Sequence, residues 1–306
     1  MVRILAITGA TGKKSGGYFA EVLCENLDNI HRIFGGGIRT IVRKSSDTSF
    51  LDSAPLHFDK YIGSIDDEDF LKQVFDGVDT VVHIAGIHWS REIVKAAASC
   101  HVRRLITVHT TGIYSKYKSA GEEYRQIDEF VYKTCKDAGI LLTILRPTMI
   151  YGKACDGNVI QFISMVDKFP LMPVVNGARY ELQPVYYRDL GEAYYQVLMN
   201  EDATAWHDFD LSGGAPIELR EMLTVIGEQL GKKVRFISVP FFLAYTGAWL
   251  LYVLTIGKKD LREPVQRLCE PRVFSHAAAT EAFGYSPMTF QQGVVDEINE
   301  YRKTNN

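Results

Sequence analysis

The apolar positions of this chain fall into short unbroken runs separated by stretches with helical spacing. Ile4–Ile7, Ile38–Val42, Arg104–Val108 and Ile140–Leu145 read as strands. Leu56–Ile62 is a weaker run, and Thr80–Gly86 is a strand that ends in small residues. Between them Tyr18–Leu23, Asp69–Phe75, Ile93–His101 and Glu122–Ala138 carry helical character, with Gly139 closing the last as a C-cap. Strand and helix alternate through the first half of the chain. That alternation predicts an α/β fold built on a doubly wound parallel sheet.

The first strand stops at Thr8-Gly9, and the run Gly9-Ala10-Thr11-Gly12-Lys13-Lys14-Ser15-Gly16-Gly17 follows before the helix. A glycine-rich turn between a buried strand and a helix is a phosphate cradle. Glycine lets the backbone approach a pyrophosphate, and the helix N-terminus offers free N–H groups. The turn therefore predicts a dinucleotide site in a Rossmann domain. The third position of the usual glycine spacing falls on Ser15, so Gly16 and Gly17 take that role with a shift. Arg43-Lys44-Ser45-Ser46 ends the second strand, where an acid would favour NAD. A guanidinium with a lysine and two hydroxyls beside it is better matched to a 2′-phosphate, which favours NADP over NAD. The alternative for this segment is a solvated loop.

Composition adds mainly exclusions. The chain has 306 residues, 46% of them hydrophobic, enough for one substantial core and a smaller lobe. A net charge of −3 gives no basic field for nucleic acid. Its five cysteines are scattered and lack any CxxC, which points to reduced thiols of a cytoplasmic protein and to no metal site. The apolar N-terminal run enters the glycine turn at once, so it reads as a strand and not a signal peptide.

Thr8-Gly9-Ala10-Thr11-Gly12 resembles the TGATGxxG turn of the extended and atypical short-chain dehydrogenase/reductases, the NAD-dependent epimerase/dehydratase group. Later landmarks extend the resemblance over nearly the whole chain. Gly63-Ser64-Ile65-Asp66-Asp67 resembles the family's GDxxD turn, with Ser64 where an acid usually meets adenine; Asp67 is expected to cap the next helix. Val81-Val82-His83-Ile84-Ala85-Gly86 resembles VVHxAA, in which Ala85 and Gly86 let the cofactor lie flat. His83 reads as a satisfied core histidine, while His88 falls in a loop that faces nicotinamide or substrate in relatives. Arg146-Pro147-Thr148-Met149-Ile150-Tyr151-Gly152 resembles LRPxxxYG, whose backbone at Pro147, Thr148 and Met149 meets the nicotinamide carboxamide in that family.

The resemblance implies a catalytic hydroxyl at Thr110, with a backbone-bonded turn threonine as the alternative. It also implies a Tyr–Lys pair on one helix face, and counting back from Arg146 puts the tyrosine at Tyr124. The position four later is Asp128, a carboxylate that would raise the phenol pKa, the wrong direction for a base. Tyr114-Ser115-Lys116-Tyr117-Lys118 has the literal YxxxK spacing but comes too early. Lys118 or Lys116 remains as a replacement cation. Two readings stay open: an NAD(P)-dependent oxidoreductase, epimerase or dehydratase acting on a small, nucleotide-sugar-like substrate, and a non-catalytic NADP(H)-binding regulator or redox sensor.

In the second half, Gln183–Leu190 resembles the segment by which the family's chain re-enters the main domain, with Asp189 capping the helix through Met199. The expected organisation is a dinucleotide domain over 1–152, with 183–205 returning to it. A smaller discontinuous α/β substrate lobe then takes 153–182 and 206–306. Arg272 is a candidate for the cleft. Ser238–Gly257 carries no charge. It reads first as a helix packed on the lobe, with a membrane-surface contact, an apolar substrate groove or a dimer face through 240–256 as the alternatives. No transmembrane span is expected.

Overall fold

The computed structural model describes residues 2–117, 119–169 and 171–305. Six of the apolar runs become β1 (Leu5–Thr8), β2 (Ile38–Val42), β3 (Phe58–Ile62), β4 (Thr80–His83), β5 (Arg104–Val108) and β6 (Leu141–Pro147). They form one parallel sheet in the order β3-β2-β1-β4-β5-β6, with a seventh strand, His207–Leu211, beyond β6. Leu5 pairs with Ile38 on one side and with Thr80 on the other. The chain thus winds away from β1 in both directions and leaves a crevice at the carboxyl ends of β1 and β4.

Apolar layers cover both faces of the sheet. One holds Phe19, Leu23, Leu190 and Tyr194, and the other holds Leu71, Phe75, Ile93 and Val131. Helix α1 (Ser15–Glu25) packs on the helix Tyr187–Met199, with Phe19 edge-on to Tyr194 at 6.0 Å. Tyr194 also donates its hydroxyl to Ser15. Arg104 is buried at the start of β5, yet its guanidinium donates to the carbonyls of Val197 and Leu198 and to Thr204. A cation there meets the negative end of that helix. The smaller lobe has its own core, which includes Tyr151, Ile163, Met172, Leu223, Ile226 and Phe290.

Three expectations change. His207–Leu211 lies in the main sheet, not in the smaller lobe, because it pairs in parallel register with Thr143–Pro147. Asp189 is not the cap of its helix, whose N-cap is Tyr186; its carboxylate instead accepts the Met288 N–H at 3.0 Å. Ser238–Gly257 does contain a helix, Phe241–Leu254, but Ala248 is its one buried residue. Among the described residues no helix is long and apolar enough to cross a membrane. Asp67 does cap its helix, accepting the Phe70 N–H.

Candidate active site

The glycine turn is held by its own backbone. Gly12 donates to the Gly9 carbonyl at 2.9 Å and Gly17 to the Gly12 carbonyl at 2.8 Å. A Cβ at Gly16 would sit 2.2 Å from the Gly9 oxygen, so only glycine allows the helix to start this close to the strand. Gly9, Ala10, Thr11, Gly12, Lys13 and Lys14 line a cavity of about 770 Å³ along the crevice. Arg43, Ser45 and Ser46 line its far end, and Ser64, Ile65 and Ala85 its side. The glycine cradle and the cations fit a dinucleotide pyrophosphate. Two residues predicted for the cofactor reach neither this cavity nor the one beside it. Lys44 stays exposed on the outside of the turn closed by the Ser46 N–H to Arg43 carbonyl bond. Gly86 instead offers its carbonyl to His83 Nε2. His83 is a fully buried core histidine, bonded also to Thr8, and burial lowers its pKa to about 3.

A second cavity, of about 700 Å³, opens beside the first. Lys14 and Ile150 line both, so the two meet there. Thr110, Pro147, Thr148 and Met149 form its floor. The Thr110 hydroxyl accepts the Gly112 N–H at 3.0 Å, which leaves its own proton to offer. Tyr114 and Lys116 also line this cavity, whereas Lys118 lies outside the described residues. Burial pushes the Tyr114 phenol up to about 12, and its hydroxyl bonds Asp210.

The opposite wall comes from Arg267–Phe274. Arg267 and Arg272 both face the cavity, and the Nε of each is buried without a hydrogen-bond partner among the described residues. Burial, with Arg267 adding to it, lowers the Arg272 pKa to about 10. Glu270 fixes the wall by accepting from Ser115 Oγ at 2.6 Å and from the Lys116 N–H at 2.8 Å.

Tyr124 is buried in the sheet core and lines neither cavity. His88 tilts over its ring at 5.5 Å and pairs with Glu123, so His88 is turned to the helix and away from the cavities. Burial raises the Tyr124 pKa, Glu123 and Glu263 add to it, and Arg267 lowers it. Asp128 is not among the causes, which corrects the expectation from its position. Its carboxylate is spent elsewhere: Oδ1 accepts from His109 Nδ1 at 2.5 Å and Oδ2 from Arg146 at 2.7 Å. Arg146 also pairs with Asp208. Burial holds His109 below its usual pKa, and its Nε2 meets Ser90 Oγ at 3.0 Å.

No family model matches the chain. It is 23% identical, over 268 residues, to the N-acetyl-α-D-glucosaminyl-diphospho-ditrans,octacis-undecaprenol 4-epimerase of Escherichia coli O157:H7, covering 76% of this chain and 80% of that one. A 4-hydroxy-2-methyl-3-oxo-4-farnesyl-3,4-dihydroquinoline-1-oxide ketoreductase of Stigmatella aurantiaca is 22% identical over 302 residues, 85% and 88% of the two chains. The solved UDP-glucuronic acid 4-epimerase of Bacillus cereus, in complex with NAD, superposes with a TM-score of 0.74 at 13% identity, over 99% of this chain and 100% of the other. The chain shares the fold of this epimerase. The UDP-glucose 4-epimerase of Thermotoga maritima gives a TM-score of 0.71 at 17% identity over 99% and 100%.

Candidate site residues named from the family resemblance line both cavities, Tyr124, Lys44 and Gly86 excepted. That resemblance did not locate the Arg267–Phe274 wall beyond Arg272, nor the chain His109–Asp128–Arg146–Asp208. The one sequence signal for that chain was the carboxylate at position 128, where the family carries a cation.

Proposed function

We propose that the protein is a nicotinamide-dinucleotide-dependent enzyme of the epimerase, dehydratase or reductase kind, acting on a hydroxylated, diphosphate-bearing substrate. The observation that carries this is the meeting of the two cavities at Lys14 and Ile150. One cavity has the glycine cradle; the other has the Thr110 hydroxyl and two buried arginine Nε donors without a partner among the described residues. The E. coli relative is named for a sugar on a lipid diphosphate, and that substrate class suits the Arg267–Arg272 wall. A reducing cytoplasmic setting suits the five cysteines, all of which are free.

In this reading the amides of Gly9–Gly12 and the start of α1 hold the pyrophosphate. The bound dinucleotide supplies hydride acceptance and return at the substrate carbinol. Thr110 donates its proton to the substrate oxygen, and Arg267 and Arg272 orient the diphosphate. Tyr114 lines the substrate cavity and is placed to take the carbinol proton; burial raises its pKa, and Arg146, 6.0 Å from its ring, lowers it. Tyr124 is the rival, but it lines neither cavity, and burial raises its pKa as well. We expect Tyr114→Phe to lower turnover of a nucleotide-sugar panel by roughly 10²–10⁴-fold, leaving dinucleotide binding intact. Unchanged turnover removes Tyr114 from the mechanism.

Asp128 in place of the family's lysine favours the second reading, a dinucleotide-binding regulator. Inertness toward the whole panel, with dinucleotide binding preserved, selects it.

Arg43, Ser45 and Ser46 favour NADP. At a free concentration one hundred times Kd, the preferred cofactor stabilises the fold by about 2.7 kcal/mol. Arg43→Glu is expected to move that response from NADP to NAD in thermal melts. An equal response of the unaltered protein to both cofactors would refute the assignment.

A further inference from the structure

The helix Phe241–Leu254 has two apolar faces and only one covering. On the inner face Ala248 is buried, Tyr245 and Tyr252 are half-buried, and Arg262 lies over the Tyr252 ring at 3.9 Å. The outer face follows helical spacing through Phe242, Trp249, Leu250, Val253 and Leu254, all of them exposed, Phe242 at 65% and Leu254 at 72%. No charge interrupts it. A helix this apolar on its solvent side needs a cover.

Charge decides which cover. From Gln229 to Lys259 the chain contains Lys232, Lys233, Arg235, Lys258 and Lys259 and not one acidic residue, although the whole protein carries a net −3. These cations flank both ends of the helix, and all five are exposed. Lys232 is paired with Asp167. A two-fold contact between copies would set this cationic segment against itself. An anionic lipid surface instead matches the apolar face and the basic ends together. The helix is about 21 Å long, against about 30 Å of hydrocarbon, so it lies in the interface and does not span. Trp249 suits that depth.

We propose that the face of helix Phe241–Leu254 docks the protein on an anionic membrane surface. The chain runs from this helix through Arg262–Arg267 directly into the cavity wall, so docking sets that wall close to the lipid. The inference does not depend on the proposed chemistry.

The test is flotation with phosphatidylcholine vesicles, with and without phosphatidylglycerol, alongside dinucleotide binding on the same preparation. The protein is expected to float with the anionic vesicles, with a blue shift of Trp249 emission in a Trp89→Phe/Trp206→Phe background. Leu250→Ser/Leu254→Ser is expected to weaken binding at least roughly tenfold. Lys258→Ala/Lys259→Ala is expected to weaken it roughly thirtyfold and to erase the preference for anionic lipid. Unaltered protein that binds dinucleotide but stays off the vesicles overturns the proposal. So does a dimer, seen by sedimentation, that Leu250→Ser/Leu254→Ser dissolves. Vesicle binding without dinucleotide binding supports docking and counts against the function proposed above.

Discussion

Asp128→Ala is expected to destabilise the protein by roughly 3–5 kcal/mol, because it strands the buried Arg146 without its inner counter-ion. Arg146 keeps Asp208, but that carboxylate is 59% exposed, while the Asp128 side chain is 12% exposed. Asp208→Ala should therefore cost about 1 kcal/mol or less. Acid adds a second signature. Burial pushes the Asp128 carboxyl up, but bonds from His109 and Arg146 outweigh that and hold it below the ordinary 3.8. A depressed carboxyl contributes stability above its unfolded pKa and loses it as pH falls through the folded one. The gap between unaltered protein and Asp128→Ala should thus narrow below pH 3.8. Urea unfolding at neutral and acid pH reads both. An equal loss for Asp128→Ala and Asp208→Ala would refute the picture of an inner and an outer partner.

Gly16→Ala is expected to abolish dinucleotide binding and to cost at least about 1–3 kcal/mol of stability. The added Cβ would approach the Gly9 carbonyl oxygen to 2.2 Å, and backbone on both sides leaves no flexible atom to give way. Relief requires α1 to lift from β1, which carries the amide N–H groups away from the pyrophosphate. In thermal melts, stabilisation of the unaltered protein by NAD or NADP should vanish in this variant while far-ultraviolet circular dichroism stays native-like. Retained cofactor response would mean that the cradle tolerates the shift. Gly77→Ala is a control, since a Cβ there meets nothing within 4 Å, though its φ of +69° still carries strain.

The middle of the sheet was legible because its central strands are buried on both sides. Ile38–Val42 and Arg104–Val108 appear with the expected bounds, and β1 sits one residue along its predicted run. His207–Leu211 was misplaced because His207 and Asp208 are exposed and its pairing to β6 is long-range. Strand identity was local information; sheet membership was not. The same limit governed the site. The glycine cradle is one contiguous stretch, so it could be read directly. The Arg267–Phe274 wall reaches Ser115 and Lys116 across more than half the chain, with no periodicity to announce it. Asp128 could be judged from sequence only by its place on the helix. Its effect on Tyr124 depends on His109 and Arg146, which arrive from two different strands. The helix Phe241–Leu254 was legible as apolar, but composition alone does not say which side faces out.

The lateral pairing of His207–Leu211 with Thr143–Pro147 bears on how the chain is born. During synthesis β6 emerges well before its outer neighbour, since the chain first makes the elements from Ile150 to Thr204. Until then β6 is a sheet border whose amides and carbonyls have no mate, the kind of surface on which nascent chains stick to one another. Helix Ala277–Phe283 and Tyr285 later pack against that last strand, so a segment made late steadies the margin left open at the middle of the chain.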